Sequence, residues 1–139
     1  MSEGLWRVLL HLLRSEGRRV KLAPPAKSRD FSRLRPALEL VDRSLGSPGL
    51  SVAELADSVN LSEVYLRKMF RRLTGMAPVD YIRRRRVERA ASLLRETSVP
   101  LKTIAESCGF SDLSFFHHVF RALTGQTPSR FRNASGTGI

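Results

Sequence analysis

Cysteine occurs once in these 139 residues, at Cys108, so the chain cannot close an internal disulfide and suits a reducing compartment. The histidines and that thiol show no metal-ligand spacing. His117 and His118 are neighbours, and adjacent helical residues diverge by about 100° with no third ligand near. Neither metal nor cofactor is expected. Long apolar runs are missing as well: the one in MSEGLWRVLLHLLRSEGRR is interrupted by Arg7 and His11 and is far too short to span a bilayer. Glu3 stands where a secretory signal would be basic, and no small-residue cleavage site follows. A cytoplasmic protein without a membrane partner is expected. No Ser/His/Asp arrangement, carboxylate pair or Gly-rich phosphate loop stands out, which favours binding over catalysis.

Acidic residues are scarce, with 13 Asp and Glu against 24 Lys and Arg and a formal net charge of +11. Such an excess favours a polyanionic partner, nucleic acid before acidic membrane. A membrane-surface protein would show a basic amphipathic helix without the capped, turn-punctuated pattern found here. The hydrophobic share of 42% is enough for a core, in one domain or two very small ones rigidly connected.

What the chain does contain is one pattern written twice. VAELADSVNLSEVYLRKMFRRLTGMAPVDYI from Val52 to Ile82 returns as LKTIAESCGFSDLSFFHHVFRALTGQTPSRFR from Leu101 to Arg132, with one extra residue just after the second turn. Each copy has an Ala four residues before a turn former (Ala56 and Asn60, Ala105 and Gly109), then a Ser suited to capping a new helix. An apolar and basic helix follows, with a Thr-Gly stop and a Pro restart. This predicts an all-α fold of two helix-turn-helix units joined by a long linker helix.

Around the repeats, Leu5, Val8, Leu9, Leu12 and Leu13 fall at helical spacing, with Trp6 and Leu10 widening the stripe beyond what a solvated helix needs. That helix requires the rest of the chain, a second copy or a further domain to cover it. Residues 18–29, with consecutive prolines, read as a linker, so 1–30 form an N-terminal helix and linker, an interdomain or dimerisation segment. A helix is predicted from Phe31 or Ser32 to Leu45, with Pro36 in its first turn. Ser51 and Glu54 form a capping box. The first helix-turn-helix spans about 51–74, the linker helix 78–96 and the second motif 100–124, within a domain of 31–132 followed by a flexible tail at 133–139. A linker of that length extends about 27 Å. It suits two recognition helices entering major grooves about 34 Å apart on one face of DNA.

Helical spacing also separates buried from outward positions. In the first recognition helix Leu66, Met69, Phe70 and Leu73 face inward, leaving Glu63, Val64, Arg67, Lys68, Arg71 and Arg72 outside. Arg67 and Lys68 suit guanine O6 and N7, and Val64 suits a thymine methyl. In the second, Phe115, Phe116, Val119, Phe120 and Leu123 are assigned inward. Asp112, Leu113, Ser114, His117 and His118 remain outside, a less basic surface. Expected phosphate contacts are Arg71, Arg72, Arg84 and Arg121. Arg86, from the run Arg83 to Arg86, is assigned structural bonds. Cys108 is assigned to the core, because its repeat counterpart is Val59.

The residues Ile104-Ala105-Glu106, Gly109-Phe110-Ser111-Asp112, Phe115-Phe116, Phe120-Arg121, Gly125, Thr127-Pro128-Ser129 and Phe131-Arg132 resemble the C-terminal DNA-binding domain of AraC/XylS-type transcriptional regulators, over about Leu34 to Arg132. The resemblance implies an all-helical, promoter-binding domain. Carried over residue by residue, it implies base contacts at Val64, Arg67 and Lys68, and at Leu113, Ser114, His117 and His118, the positions reached from helical spacing. Asn60 departs from the family's glycine and Phe131 from its tyrosine, neither at risk to the fold. The Leu5 to Leu13 helix resembles the interdomain segment of a longer regulator, so a fragment is expected. The implied partner is double-stranded DNA, at an asymmetric bipartite operator. The alternative is a protein-interaction module contacting RNA polymerase or another partner, which alone leaves the charge unexplained.

Overall fold

The computed structural model of the protein describes residues 25–136, which form seven helices with no strand among the described residues. In chain order these are α1 (Pro25–Arg43), α2 (Val52–Ser58), α3 (Glu63–Thr74), α4 (Pro78–Glu96), α5 (Leu101–Ser107), α6 (Leu113–Thr124) and α7 (Pro128–Gly136). The helix expected over Leu5 to Leu13 lies outside the described residues. The all-α class and the two helix-turn-helix pairs, α2–α3 and α5–α6 with the long α4 between them in sequence, agree with the expectation.

Two boundaries differ from the sequence reading. α1 starts at Pro25, not at Phe31 or Ser32, so the expected linker is helical from its second proline onward. Pro25 occupies the first helical position, where a missing N–H leaves nothing unsatisfied, and no breaker follows through Asp30. Pro36 consequently sits inside the helix rather than in its first turn. At the other end α7 runs through Gly136, beyond the expected limit at Arg132.

The chain divides into two compact units. The first holds the described residues up to Leu40 and Ser51–Pro78, and its core is built on Leu34, Ala37, Leu55, Leu66, Met69 and Phe70. The second holds Val41–Leu50 and the described residues from Val79 onward, with Val87, Ala90, Leu94, Ile104, Phe116 and Phe120 at its centre. Within each, a short helix packs on a recognition helix, α2 on α3 and α5 on α6. The small Ala56 and Ala105, both buried, lie at these contacts and let the helices approach.

Local chemistry explains why the helices stop and start where they do. The Ser51 hydroxyl accepts from the Glu54 N–H at 3.2 Å, and the Glu54 carboxylate accepts from the Ser51 N–H at 3.2 Å, completing the capping box of α2. The turns in the motifs use Asn60 at φ 56° and Gly109 at φ 90°, both left-handed. Each recognition helix ends in the same device. The hydroxyls of Thr74 and Thr124 donate to the carbonyls of Phe70 and Phe120, and accept from the N–H groups of Met76 and Gln126. Gly75 and Gly125 then turn left-handed, and their N–H groups bond to Arg71 and Arg121 carbonyls. Phe131 is buried and meets Phe120 edge-on, its ring centre 5.4 Å away.

Candidate nucleic-acid interface

The first recognition helix is presented by Ser62, whose hydroxyl accepts from the Tyr65 N–H at 3.1 Å. With Leu66, Met69 and Phe70 buried, Val64, Arg67, Lys68, Arg71 and Arg72 all stand in solvent, Val64 at 64% exposure. Arg67 is oriented by Glu63 one turn earlier, its guanidinium 3.4 Å from the carboxylate. Arg72 is held at 2.7 Å by Asp30, a residue that the earlier start of α1 places on a helix. The hydrogen bond from Arg72 to Asp30 raises the guanidinium's pKa above its ordinary value.

The second recognition helix begins differently. Its cap is Asp112 rather than Ser111, the carboxylate accepting from the Ser114 N–H at 3.0 Å. The extra residue of the second copy therefore moves the cap by one place and keeps the helices in register. Ser114, His118 and Arg121 are exposed, and Leu113 is 39% exposed. His117, in register with Arg67, is only half exposed, and its Nε2 is shielded from solvent with no hydrogen-bond partner. The inward assignment of Phe115 is corrected: the ring is 45% exposed, because it lies on the flank of α6 beside Phe110 rather than under the helix. Its counterpart Tyr65 is also partly exposed.

The arginine run of α4 separates into different jobs. Arg86 donates to the carbonyls of Leu45 at 3.0 Å and Ser47 at 2.7 Å, and burial lowers its pKa. It is a structural residue, as its sequence position suggested. Arg85 bonds to Asp42 and Glu88, each at 2.7 Å. Arg83 lies 3.8 Å from Asp80, and Arg84 is half-buried. Arg132 performs a similar structural task near the end of the same unit, donating to the carbonyls of Leu94, Thr97 and Val99. Cys108 is fully buried and burial pushes its thiol pKa up, the opposite of what a reactive thiolate needs. Among the described residues no cluster of His, Cys, Asp and Glu could hold a metal ion. None of their helices is long and apolar enough to cross a membrane.

Chemically, the two faces are unequal. α3 offers four exposed cations in an arc around a small apolar side chain, suited to phosphate and to guanine edges. α6 offers one exposed arginine together with imidazole, hydroxyl and apolar groups, suited to hydrogen bonding and methyl contact. Periodicity alone missed Asp30 as the partner of Arg72, since nothing local connects residues so far apart in sequence. The exposed rings Tyr65 and Phe115 were missed as well, since spacing placed Phe115 inward and gave Tyr65 no role.

The surroundings of these faces have known relatives. A family described as a helix-turn-helix domain matches residues 55–134. The chain is 34% identical over 133 residues to the HTH-type transcriptional activator RhaR of Escherichia coli (strain K12), covering 96% of this chain and 46% of RhaR. It thus spans about half the length of the curated relatives it matches. The crystal structure of a transcriptional regulator from Chromobacterium violaceum, of the AraC-type DNA-binding domain-containing proteins, matches with a TM-score of 0.70 and 29% identity. The match covers 75% of this chain and 92% of that chain. The DNA-binding domain of the global transcriptional factor AdpA, crystallised with a target DNA, matches with a TM-score of 0.65 and 29% identity, over 71% of this chain and 91% of that one. With its duplicated helix-turn-helix, its basic recognition surface and these relatives, the chain belongs to the AraC-type family of transcriptional regulators, and residues 55–134 lie in its DNA-binding domain.

Proposed function

We propose that the chain binds an asymmetric, bipartite site on double-stranded DNA, with α3 and α6 each reading a separate element in the major groove. The observation that carries this reading is the pair of matching recognition helices, equal in their stops and in the spacing of their buried residues and unequal in their outward chemistry. Arg67 and Lys68 read guanine and Val64 a thymine methyl. Leu113, Ser114, His117 and His118 read the second element by hydrogen bonds and apolar contact. Arg71, Arg72, Arg84 and Arg121 hold phosphates, Arg72 in competition with Asp30. The AdpA domain crystallised with its target supports DNA as the partner.

Transcriptional activation belongs to the same proposal, by likeness to RhaR, whose name states that activity. In a longer regulator residues 1–24 would connect to an effector or dimerisation domain, and contact with RNA polymerase would convert binding into activation. Arg67→Ala tests the base-reading half. The substitution should weaken binding by about 1 to 3 kcal/mol on the preferred sequence and relax preference at one position, measured as affinities for a set of single-base variants. Equal losses on every sequence would make Arg67 a phosphate clamp and remove it from the reading.

A further inference from the structure

An aromatic ring stands at the third residue of each recognition helix, Tyr65 in α3 and Phe115 in α6, in register across the repeat. Neither ring is part of the core. They are 38% and 45% exposed, while the adjacent Leu66 and Phe116 are fully buried. Each ring carries an arginine from the long helix that precedes its motif. Arg33 Cζ of α1 lies 5.9 Å from the centre of Tyr65, and Arg83 Cζ of α4 lies 5.8 Å from the centre of Phe115.

The two arginines are not copies of one another. The buried Leu34, Ala37 and Val41 of α1 have the same spacing as the buried Val87, Ala90 and Leu94 of α4. On that register Arg33 corresponds to Arg86, and Arg83 corresponds to Asp30. The same arginine-over-ring pair is therefore built twice from different positions. Duplication of the helix does not explain it. Arginines also lie near Phe31 and Phe131, at 5.9 and 5.8 Å, so what sets these two pairs apart is their place at the start of the recognition helices.

The chemistry of the pair indicates a task. A guanidinium within about 6 Å of a ring's centre is attracted to it, and its planar fork of N–H donors can still match the oxygens of a phosphate. An arginine steered by a ring loses less freedom when it binds one. Asp80 lies 3.8 Å from Arg83, too long for a strong charge-assisted hydrogen bond, so it leaves donors available. Both pairs flank the first turn of a recognition helix, beside the residues assigned to bases.

Resting on the DNA-binding reading above, we propose that Arg33 and Arg83 are two further phosphate contacts, each held ready on the aromatic ring of its recognition helix. They position the first turn of each recognition helix against the backbone that borders the groove it reads. The rings at Tyr65 and Phe115 are positioning residues that act through the arginines.

The test is the slope of log affinity against log salt concentration, for the full chain on a duplex it has selected from a random pool. Arg33→Gln and Arg83→Gln should each reduce the slope by about 0.9, and the double variant by about twice that. Arg33→Lys and Arg83→Lys should retain the slope, since the charge remains. Tyr65→Leu and Phe115→Leu should weaken binding with little change in slope, because the phosphate contact survives without its support. Unchanged slopes in both glutamine variants, with thermal unfolding like that of the parent, would overturn the proposal. A lowered slope that the lysine variants fail to restore would also overturn it, by pointing to a change of structure. A parent chain that selects no duplex would sink the DNA reading itself, a result distinguishable from either.

Discussion

A β-carbon at Gly109 would run into the carbonyl of Leu45 and come within 2.6 Å of Arg86 Nε, and the residue also holds φ at 90°. The corresponding turn of the first motif accepts Asn60 at φ 56°, exposed to solvent. The two turns share a backbone conformation and differ in what surrounds it, which is why one tolerates a side chain. Gly109→Ala is expected to destabilise the chain by about 2 to 6 kcal/mol, combining left-handed strain with overpacking. Asn60→Gly should stay within about 1 kcal/mol of the parent, both read as midpoints of urea unfolding. A Gly109→Ala variant as stable as the parent would show that the Leu45 and Arg86 contact does not constrain the turn.

Among the elements, α1 supplies partners to two side chains of α3: its Asp30 pairs with Arg72, and its Arg33 lies near the ring of Tyr65. Asp30→Asn should therefore raise affinity for DNA at low salt several-fold and steepen the salt dependence by up to about 0.9, as Arg72 becomes available to phosphate. Affinity and slope unchanged in that variant would show that Asp30 does not restrain Arg72. The start of α1 was also the element least legible in the sequence. Consecutive prolines read as breakers, although the second of them is well placed at a helix start. By contrast, the caps at Ser51 and Ser62 were legible from local chemistry, and the Thr-Gly stops because that chemistry recurs in both copies, while the burial of Cys108 was read from its apolar counterpart Val59, itself only half-buried. The exposure of Phe115 and the shielding of His117 were not. Spacing assigns a residue to a side of a helix, while the width of the neighbouring helix decides how much of each flank is covered.

For the whole molecule, the duplication conserves the scaffold and divides the recognition chemistry. The helix-turn-helix fold and its AraC-type membership were readable from the repeat, whereas the uneven electrostatics depend on partners such as Asp30, Glu63 and Asp80 that the structure brings beside the arginines. Of the cations displayed on the recognition helices, most belong to α3, so the element bound by α3 should supply most of the salt-sensitive affinity. The element bound by α6 should contribute discrimination with less dependence on salt. The most direct test of this account is selection of bound sequences from a random duplex pool by the full chain. The expected result is a non-palindromic site of two different elements about one helical turn apart, one containing guanine that loses its preference in Arg67→Ala. Recovery of a palindrome, of a single short element, or of no enriched sequence would contradict it.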